Sequence, residues 1–497
     1  MRRVISVWLP HWPTDRLRRS QPFVSPDQPT VTARHDGRRR VVAAADTAAQ
    51  ALGLRPGMVM AHAIAIAPGL TALEAEPEAD TAALHRLALW CHRYTPLAAP
   101  DPLDGLWLDI TGAAHLFGGE AALADSLVAR LGRSGFASRA AVADTPGAAH
   151  AAARYAPGVL PAGGHMGICG LMPVSALRLP PDLVAVLRRL GFDCVADLDH
   201  LPRTSLVRRF GSVLMLRLDQ LAGRVHEPIV PLMPVDALQH RVVFMEPLLT
   251  ADALSTAIVH LVTPLCGQME RTGQGARRLD LLFERVDGTI QAVSIGTARP
   301  SRDIWHLARL LDEHLEKIDP GLGIEAMRLV VPLAEPLHWR QDSDALSILA
   351  ADVSTLVDRL SNRLGAERVY RAEPAESDVP ERSVRRIPPL TPPGGATWPG
   401  TAPLRLLNPP CPVEAISMLP DQPPVAFTWR RRRHRIRRAD GPERIYGEWW
   451  RRDAEVSAVR DYFRVEDEDG NRFWLFRQGN GVDPATGGLR WFLHGVF

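Results

Sequence analysis

The chain has 497 residues, 46% of them hydrophobic, enough to bury several cores and to imply three or more domains. A formal net charge of +2 says little about partners, and every basic side chain except Lys317 is arginine, a bias that fits a GC-rich genome as well as a need for forked hydrogen bonding. The widely spaced Cys91, Cys169, Cys194, Cys266 and Cys411 form no CxxC pair and no zinc-type spacing with histidine, which leaves reduced, mostly buried thiols. Arg2 and Arg3 precede only the short apolar run Val4 to Leu9, with no cleavage site and no membrane-length stretch, so a cytoplasmic protein is expected.

In chain order, Val4 to Leu9 predicts a buried strand ended by Pro10, and Val41 to Ala45 a second short run followed by a helical stretch to Leu52. A helix is expected from Thr81 to Tyr94, a strand at Leu106 to Thr111, and a helix from near Glu120, closing a first α/β or α+β domain at about residue 165. Short helices then follow over Asp182 to Leu190, Val195 to Leu201 and Leu206 to Leu221, giving an all-helical domain over 166–235. A separate α+β module is expected over 236–340, with strands near Val242, at Arg278 to Arg285, Thr289 to Ile295 and Met327 to Val331, and helices at Asp252 to Arg271 and Asp303 to Lys317. Residues 341–403 read as a helix and a disordered linker, because Arg371 to Pro403 is rich in proline, glycine and charge and has too little apolar surface to fold alone. Leu404 to Phe497 is dense in Trp and Phe and carries a hairpin signal at Asp469-Gly470, which predicts a small β-rich domain.

Several chemistries are excluded by the absence of their strings. Lys317 precedes Ile318, so there is no P-loop, and Gly321 to Ala326 (GLGIEA) follows a helix and precedes a strand, the reverse of a dinucleotide fold. No GxSxG or HExxH occurs.

Three N-terminal strings, VISVWLP, AADTAAQALGLRPGM and DPLDGLWLDITGAAHLFGGE, together resemble the signature segments of Y-family DNA polymerases in order and spacing. The resemblance covers roughly residues 1 to 370 and implies an α+β multidomain architecture of palm and fingers, helical thumb and little finger, followed here by the β-rich domain. In active members, Asp-x-Asp on the first strand and Asp-Glu before the LWLDIT-like strand hold two Mg²⁺ ions for nucleotidyl transfer. The matching positions here are Trp8, Leu9 and Pro10, then Asp104 and Gly105, so only Asp104 survives. Asp109 lies five residues further on, on the opposite face of a regular strand, and Asp15 reads as a helix N-terminal residue. Fingers residues that would grip the incoming triphosphate correspond to Thr47 and Gln50, and a palm lysine corresponds to Ala156 in RYAPG. No catalytic metal and no other cofactor is implied; a weakly active polymerase using Asp104 is the alternative.

For DNA contact, PPDLVAVLRRLGFDCVADL resembles a helix-hairpin-helix with Leu190, Gly191 and Phe192 as its hairpin, although an ordinary pair of helices with glycine past the first would read the same. Arg277, Arg278, Arg299 and Arg302 in the little-finger-like module are candidate phosphate contacts. The run containing Arg430, Arg431, Arg432, Arg433, Arg435, Arg437 and Arg438 must be exposed or paired with acid, and serves nucleic acid, an acidic partner, or solvent. The aromatic tail is mostly core, with a remainder available for partners. The whole chain resembles the catalytically inactive Y-family branch of a bacterial SOS mutasome. That resemblance implies an adaptor joining an error-prone C-family polymerase and a RecA-like accessory protein to primer-template and sliding clamp. The nearest clamp-binding candidate, Gln341 in HWRQDSDALSIL, lacks the aliphatic-aromatic end that fills a clamp pocket, which leaves direct clamp binding open.

Overall fold

A computed structural model describes residues 2–20, 28–234, 237–337, 345–392, 394, 403, 405–418, 422–451, 455–481 and 483–497, with side chains except at 345–352 and 484. It divides into two compact units, Met1–Arg368 and Val369–Phe497.

In the first unit, Val4–Trp8 is the middle strand of a five-stranded sheet in the order Ala98–Asp101, Gly105–Asp109, Val4–Trp8, Arg139–Ala143, Gly158–Val159; only the last pair is parallel. Alternation along the middle strand feeds two cores. Ile5 and Val7 pack with helices Pro77–Trp90 and Glu120–Arg133, whereas Val4 and Trp8 face helix Pro146–Tyr155 and the helices beyond it. Burial on both faces is why this run reads as continuously apolar. Each fully buried side chain such as Ile5 or Val7 contributes roughly 1.5–3 kcal/mol.

A three-stranded sheet, Arg39–Ala45, Thr30–Asp36 and Thr71–Glu74, leads into helix Thr47–Ala51. Asp46 caps that helix, accepting from Ala49 N at 2.7 Å, Thr30 N at 3.2 Å and Arg18 Nη2 at 2.5 Å. The helical region holds Pro181–Arg189, Val195–Asp199, Arg203–Phe210 and Ser212–Ala222. Periodicity predicted one helix over Leu206 to Leu221; Gly211, at φ +82°, splits it.

The next module is an antiparallel sheet ordered Ile290–Ser301, Gln274–Arg285, Ile324–Pro336, Leu238–Leu248, with Ala251–Arg271 and Ile304–Asp312 covering one face. Helix Ala345–Leu364 docks on its edge, where Asn362 bonds the backbone of Gly296 and Asp358 accepts from Ala298 N and His306 Nε2.

The second unit is a closed six-stranded barrel: Arg405–Ser417, Pro424–Trp429, Arg432–Tyr446, Val459–Asp467, Arg472–Gln478 and Trp491–Val496, the last pairing with the first. Gly470, at φ +83°, makes the turn expected at Asp469-Gly470. The stretch expected to be a disordered linker is corrected in its first part. Arg371–Pro374 pairs with Val384–Ile387, Val379 is buried with Ile445 and Tyr462, and Arg382 bridges Glu448 and Glu455. Glu381 takes Arg460 at 2.7 Å. Composition undervalued this segment because charge pairing with the barrel, rather than its own apolar area, holds it.

Candidate functional site

The hairpin between Ala98–Asp101 and Gly105–Asp109 places Asp104 beside the end of the middle strand, where Leu9 N donates to the Asp104 carbonyl at 2.8 Å. Trp8 lies opposite Gly105 in register, and its Nε1 donates to Asp104 Oδ2 at 2.9 Å. Arg154 Nη2 donates to Asp104 Oδ1 at 2.8 Å, and the guanidinium carbons of Arg154 and Arg139 each sit 5.5 Å from the Trp8 ring centre. The Asp104 carboxylate is therefore held between an indole and a guanidinium. Arg154 lies on helix Pro146–Tyr155, two residues before Ala156 at the helix end, and nothing in the string RYAPG marks it as a partner of Asp104. One visible signal was His150 and Arg154 four apart, on one helix face.

Deeper in the same face lie Asp101 and His150. His150 Nε2 is 3.7 Å from Asp101 Oδ2, and its ring stacks on Trp107 at 5.8 Å. Burial pushes the Asp101 carboxyl up to about 6, tempered by Arg154 and Arg178. Burial, then Arg154, Arg178 and Arg217, push His150 down to about 2, so the imidazole is neutral and the contact is not an ion pair. Asp101 Oδ2 has no hydrogen-bond partner, but Arg154 Nη2 is 3.9 Å away.

These residues do not fit the divalent cations that the polymerase family would place here. The two carboxylates share a guanidinium, which repels a cation. A Cβ on Gly105 would lie 3.0 Å from Val7 O and from Asp101 Oδ2, so an acid restored there would need the neighbours to move. Asp109 is spent on Arg2 at 2.8 Å and Thr111 at the far end of its strand. Asp15 does sit in the first turn of Trp12–Ser20, where it accepts from Ala137 N at 2.9 Å. Among the described residues no group of three His, Cys, Asp or Glu side chains converges as a metal site. Pro10 lies in the turn after the strand.

Thr47 and Gln50, expected at triphosphate-gripping positions, make internal bonds as well. Thr47 Oγ1 is 2.9 Å from His11 Nε2, whose Nδ1 faces the Ala45 carbonyl at 3.1 Å, and Gln50 Nε2 donates to that carbonyl at 3.0 Å. Because a carbonyl only accepts, His11 Nδ1 donates to Ala45 O. His11, unnoticed in the sequence, joins the strand end to the fingers-like helix.

The expected phosphate grip at Leu190, Gly191 and Phe192 is corrected in its mechanism. Gly191 N donates to Arg188 O at 3.0 Å and Phe192 N to Leu187 O at 3.1 Å, a helix C-terminal motif that uses both amides. Asp193 N and Cys194 N are taken by Asp197, and Val195 N and Ala196 N by Met172 and Gly170 carbonyls. No amide of the hairpin is left for a phosphate. In the next module, Arg277 bonds the Thr297 carbonyl and Glu335, and Arg278 bonds the buried Asp280 at 3.0 Å, so neither is free. Arg299 is exposed and Arg302 half-buried, each without an ion pair among the described residues. Gln341 lies outside the described residues.

The basic run forms a barrel hairpin. Trp429 pairs with Arg432 across a two-residue turn, Arg430-Arg431, at φ +50° and +65°. Left-handed backbone at two non-glycine residues costs on the order of 1 kcal/mol each.

Comparison with known proteins supplies the family. Residues 13–154 match the impB/mucB/samB family, and residues 408–497 match a domain of unknown function (DUF6504). Protein ImuB of Caulobacter vibrioides is 44% identical over 460 residues, covering 90% of this chain and 100% of that protein. DNA polymerase IV of Gluconobacter oxydans is 25% identical over 293 residues, 58% of this chain and 82% of that one. A crystal structure of DinB from Sulfolobus solfataricus covers 66% of this chain and 98% of its own at 15% identity, with a TM-score of 0.40. The family match and the palm-like sheet that carries Asp104 define a Y-family polymerase homologue of DNA repair and translesion synthesis. More narrowly, with an ImuB protein matched along its whole length, the chain belongs to the ImuB family. Among the described residues no helix is long and apolar enough to cross a membrane.

Proposed function

We propose that this chain is a non-catalytic, DNA-binding adaptor of SOS-induced, error-prone translesion synthesis. The observation that carries the reading is the closed Trp8–Asp104–Arg154 cluster, in which a guanidinium occupies the neighbourhood of the surviving acid. A lone carboxylate already holding two donors has little left for Mg²⁺, and electrostatic stabilisation of a departing pyrophosphate needs cations that this site repels. The polymerase-like unit would hold primer-template through phosphate contacts, for which Arg299 and Arg302 remain available. The barrel would recruit the error-prone C-family polymerase and a RecA-like accessory protein of the ImuA type. In support, Trp449 and Trp450 are 63% and 65% exposed and touch edge to face at 5.8 Å, the kind of rigid aromatic pair that anchors interfaces. Contact with the sliding clamp, and a cytoplasmic, nucleoid-associated location, belong to the same reading.

The test is primer extension by the purified full chain with Mg²⁺ or Mn²⁺ and all four nucleotides, beside DNA binding by anisotropy. Binding without extension is expected. Extension abolished by Asp104→Ala would establish instead a weak polymerase built on that acid; extension that survives Asp104→Ala would point to a displaced site or a contaminant.

A further inference from the structure

The barrel hairpin Pro424–Trp429/Arg432–Tyr446 sets Arg433 across from Thr428 and Arg435 across from Ala426. Alternation turns His434 and Ile436 inward, where His434 is buried on Asp467 at 2.9 Å and Ile436 packs on the core. Arg433, Arg435 and Arg437 are left exposed on the outer face. Arg433 and Arg435, two apart on a regular strand, have backbones about 6.8 Å apart, and Arg437 continues the row at a register irregularity between Ile436 and Arg438. None of them, nor Arg430, Arg431 or Arg438, meets a carboxylate among the described residues; only Arg432 of this run does, with Asp469 at 2.6 Å.

The nearby acidic turn does not neutralise the row. Asp467 is used by His434 and Asn471, Glu466 by Arg472, and Asp469 by Arg432, which leaves Glu468. The hairpin tip adds to the charge instead of relieving it. Its two left-handed positions are those that Asn-Gly fills without strain, yet both are arginine, and Arg430 is steadied 4.6 Å over the Trp429 ring. Strain kept in an exposed turn, for the sake of two cations, points to a ligand for those cations.

We infer that this hairpin is a phosphate rail, a site on the barrel for the sugar-phosphate backbone of DNA, bound without sequence reading. A run of exposed cations without carboxylate partners fits a polyanion, and the guanidinium fork matches phosphate geometry. A protein interface would need an apolar centre, and the side chains opposite the row are Thr428 and Ala426. This goes beyond the adaptor reading, since it places a DNA contact in the barrel itself, apart from any in the polymerase-like unit.

The experiment uses the full chain with a fluorescent oligo-dT strand and a mixed-sequence duplex, titrated from about 50 to 200 mM salt. For Arg433→Ala/Arg435→Ala/Arg437→Ala, the slope of log K against log salt should become shallower by about 2 on the single strand or about 3 on the duplex. Whichever arm moves identifies the form of DNA held. Arg433→Lys/Arg435→Lys/Arg437→Lys should keep the slope. Arg430→Asn/Arg431→Gly should raise the melting temperature while flattening the slope by about 1.4 on the single strand, so the test survives misfolding of the alanine variant. Unchanged slopes on both DNAs in the alanine and turn variants overturn the inference and move the row to an acidic protein, while wild-type DNA binding would still support the adaptor. A wild-type chain that binds neither DNA removes both.

Discussion

At the end of the palm-like sheet, Arg154 is a side chain 16% exposed that closes on Asp104 at 2.8 Å; on the barrel hairpin, Arg433, Arg435 and Arg437 stand in solvent and close on no carboxylate among the described residues. The same side chain completes an internal network in one place and leaves one open in the other. Completed networks are expected to govern stability, and open ones binding, because a buried ion that loses its partner keeps its desolvation cost while a solvated one loses little.

The barrel contains both kinds, so the sharpest test lies within it. Asp461, fully buried, accepts from Arg444 at 2.7 Å and from Arg477 at 2.8 Å. Asp461→Asn should cost about 3–5 kcal/mol in urea unfolding of the barrel, whereas removing the three outer arginines should leave its unfolding midpoint nearly unchanged. A loss below about 1 kcal/mol for Asp461→Asn would break the division between inner and outer charge.

Asp101 sharpens the same contrast from the palm side, with the opposite sign. Its carboxyl is raised to about 6 by burial, so the folded chain binds that proton more tightly than the unfolded chain does. Its contribution is therefore most favourable at acid pH and declines as pH rises from about 4 to about 6. Asp101→Asn should stabilise the first unit by on the order of 2–3 kcal/mol at pH 7 and by almost nothing at pH 4. Equal effects at the two pH values would show that Asp101 is not the group being relieved. A smaller loss than that of Asp461→Asn is expected from Arg154→Ala, about 1 kcal/mol, because Asp104 is 36% exposed and can rehydrate. Thermal unfolding followed by Trp fluorescence would measure it, and no change would make the cluster around Trp8 dispensable.

Much of the fold was legible because its signals are local. Val4 to Leu9, the helix from Glu120, and the Asp469-Gly470 turn are each written in a few consecutive residues, and the structure places elements at all three. The segment after Arg371 was misread because its stabilising partners, Glu448, Glu455 and Arg460, lie some 60 to 90 residues away. At Leu190 to Phe192 the turn was recognised, but the carbonyls that consume its amides could not be seen in the string.

By itself, the sequence determined that Trp8, Pro10 and Gly105, the positions that the family resemblance implies for acids, carry no carboxylate, since residue identity needs no coordinates. It also determined that Arg430 to Arg438 carries more like charge than a barrel core can bury. Only the tertiary structure decided what meets Asp104, because Arg154 reaches it across 50 residues of chain. It alone separated Arg277 and Arg278, which are paired within their module, from the barrel row, which is not. Charge is a property of composition, but whether a charge is satisfied depends on which distant groups the fold brings within hydrogen-bonding reach.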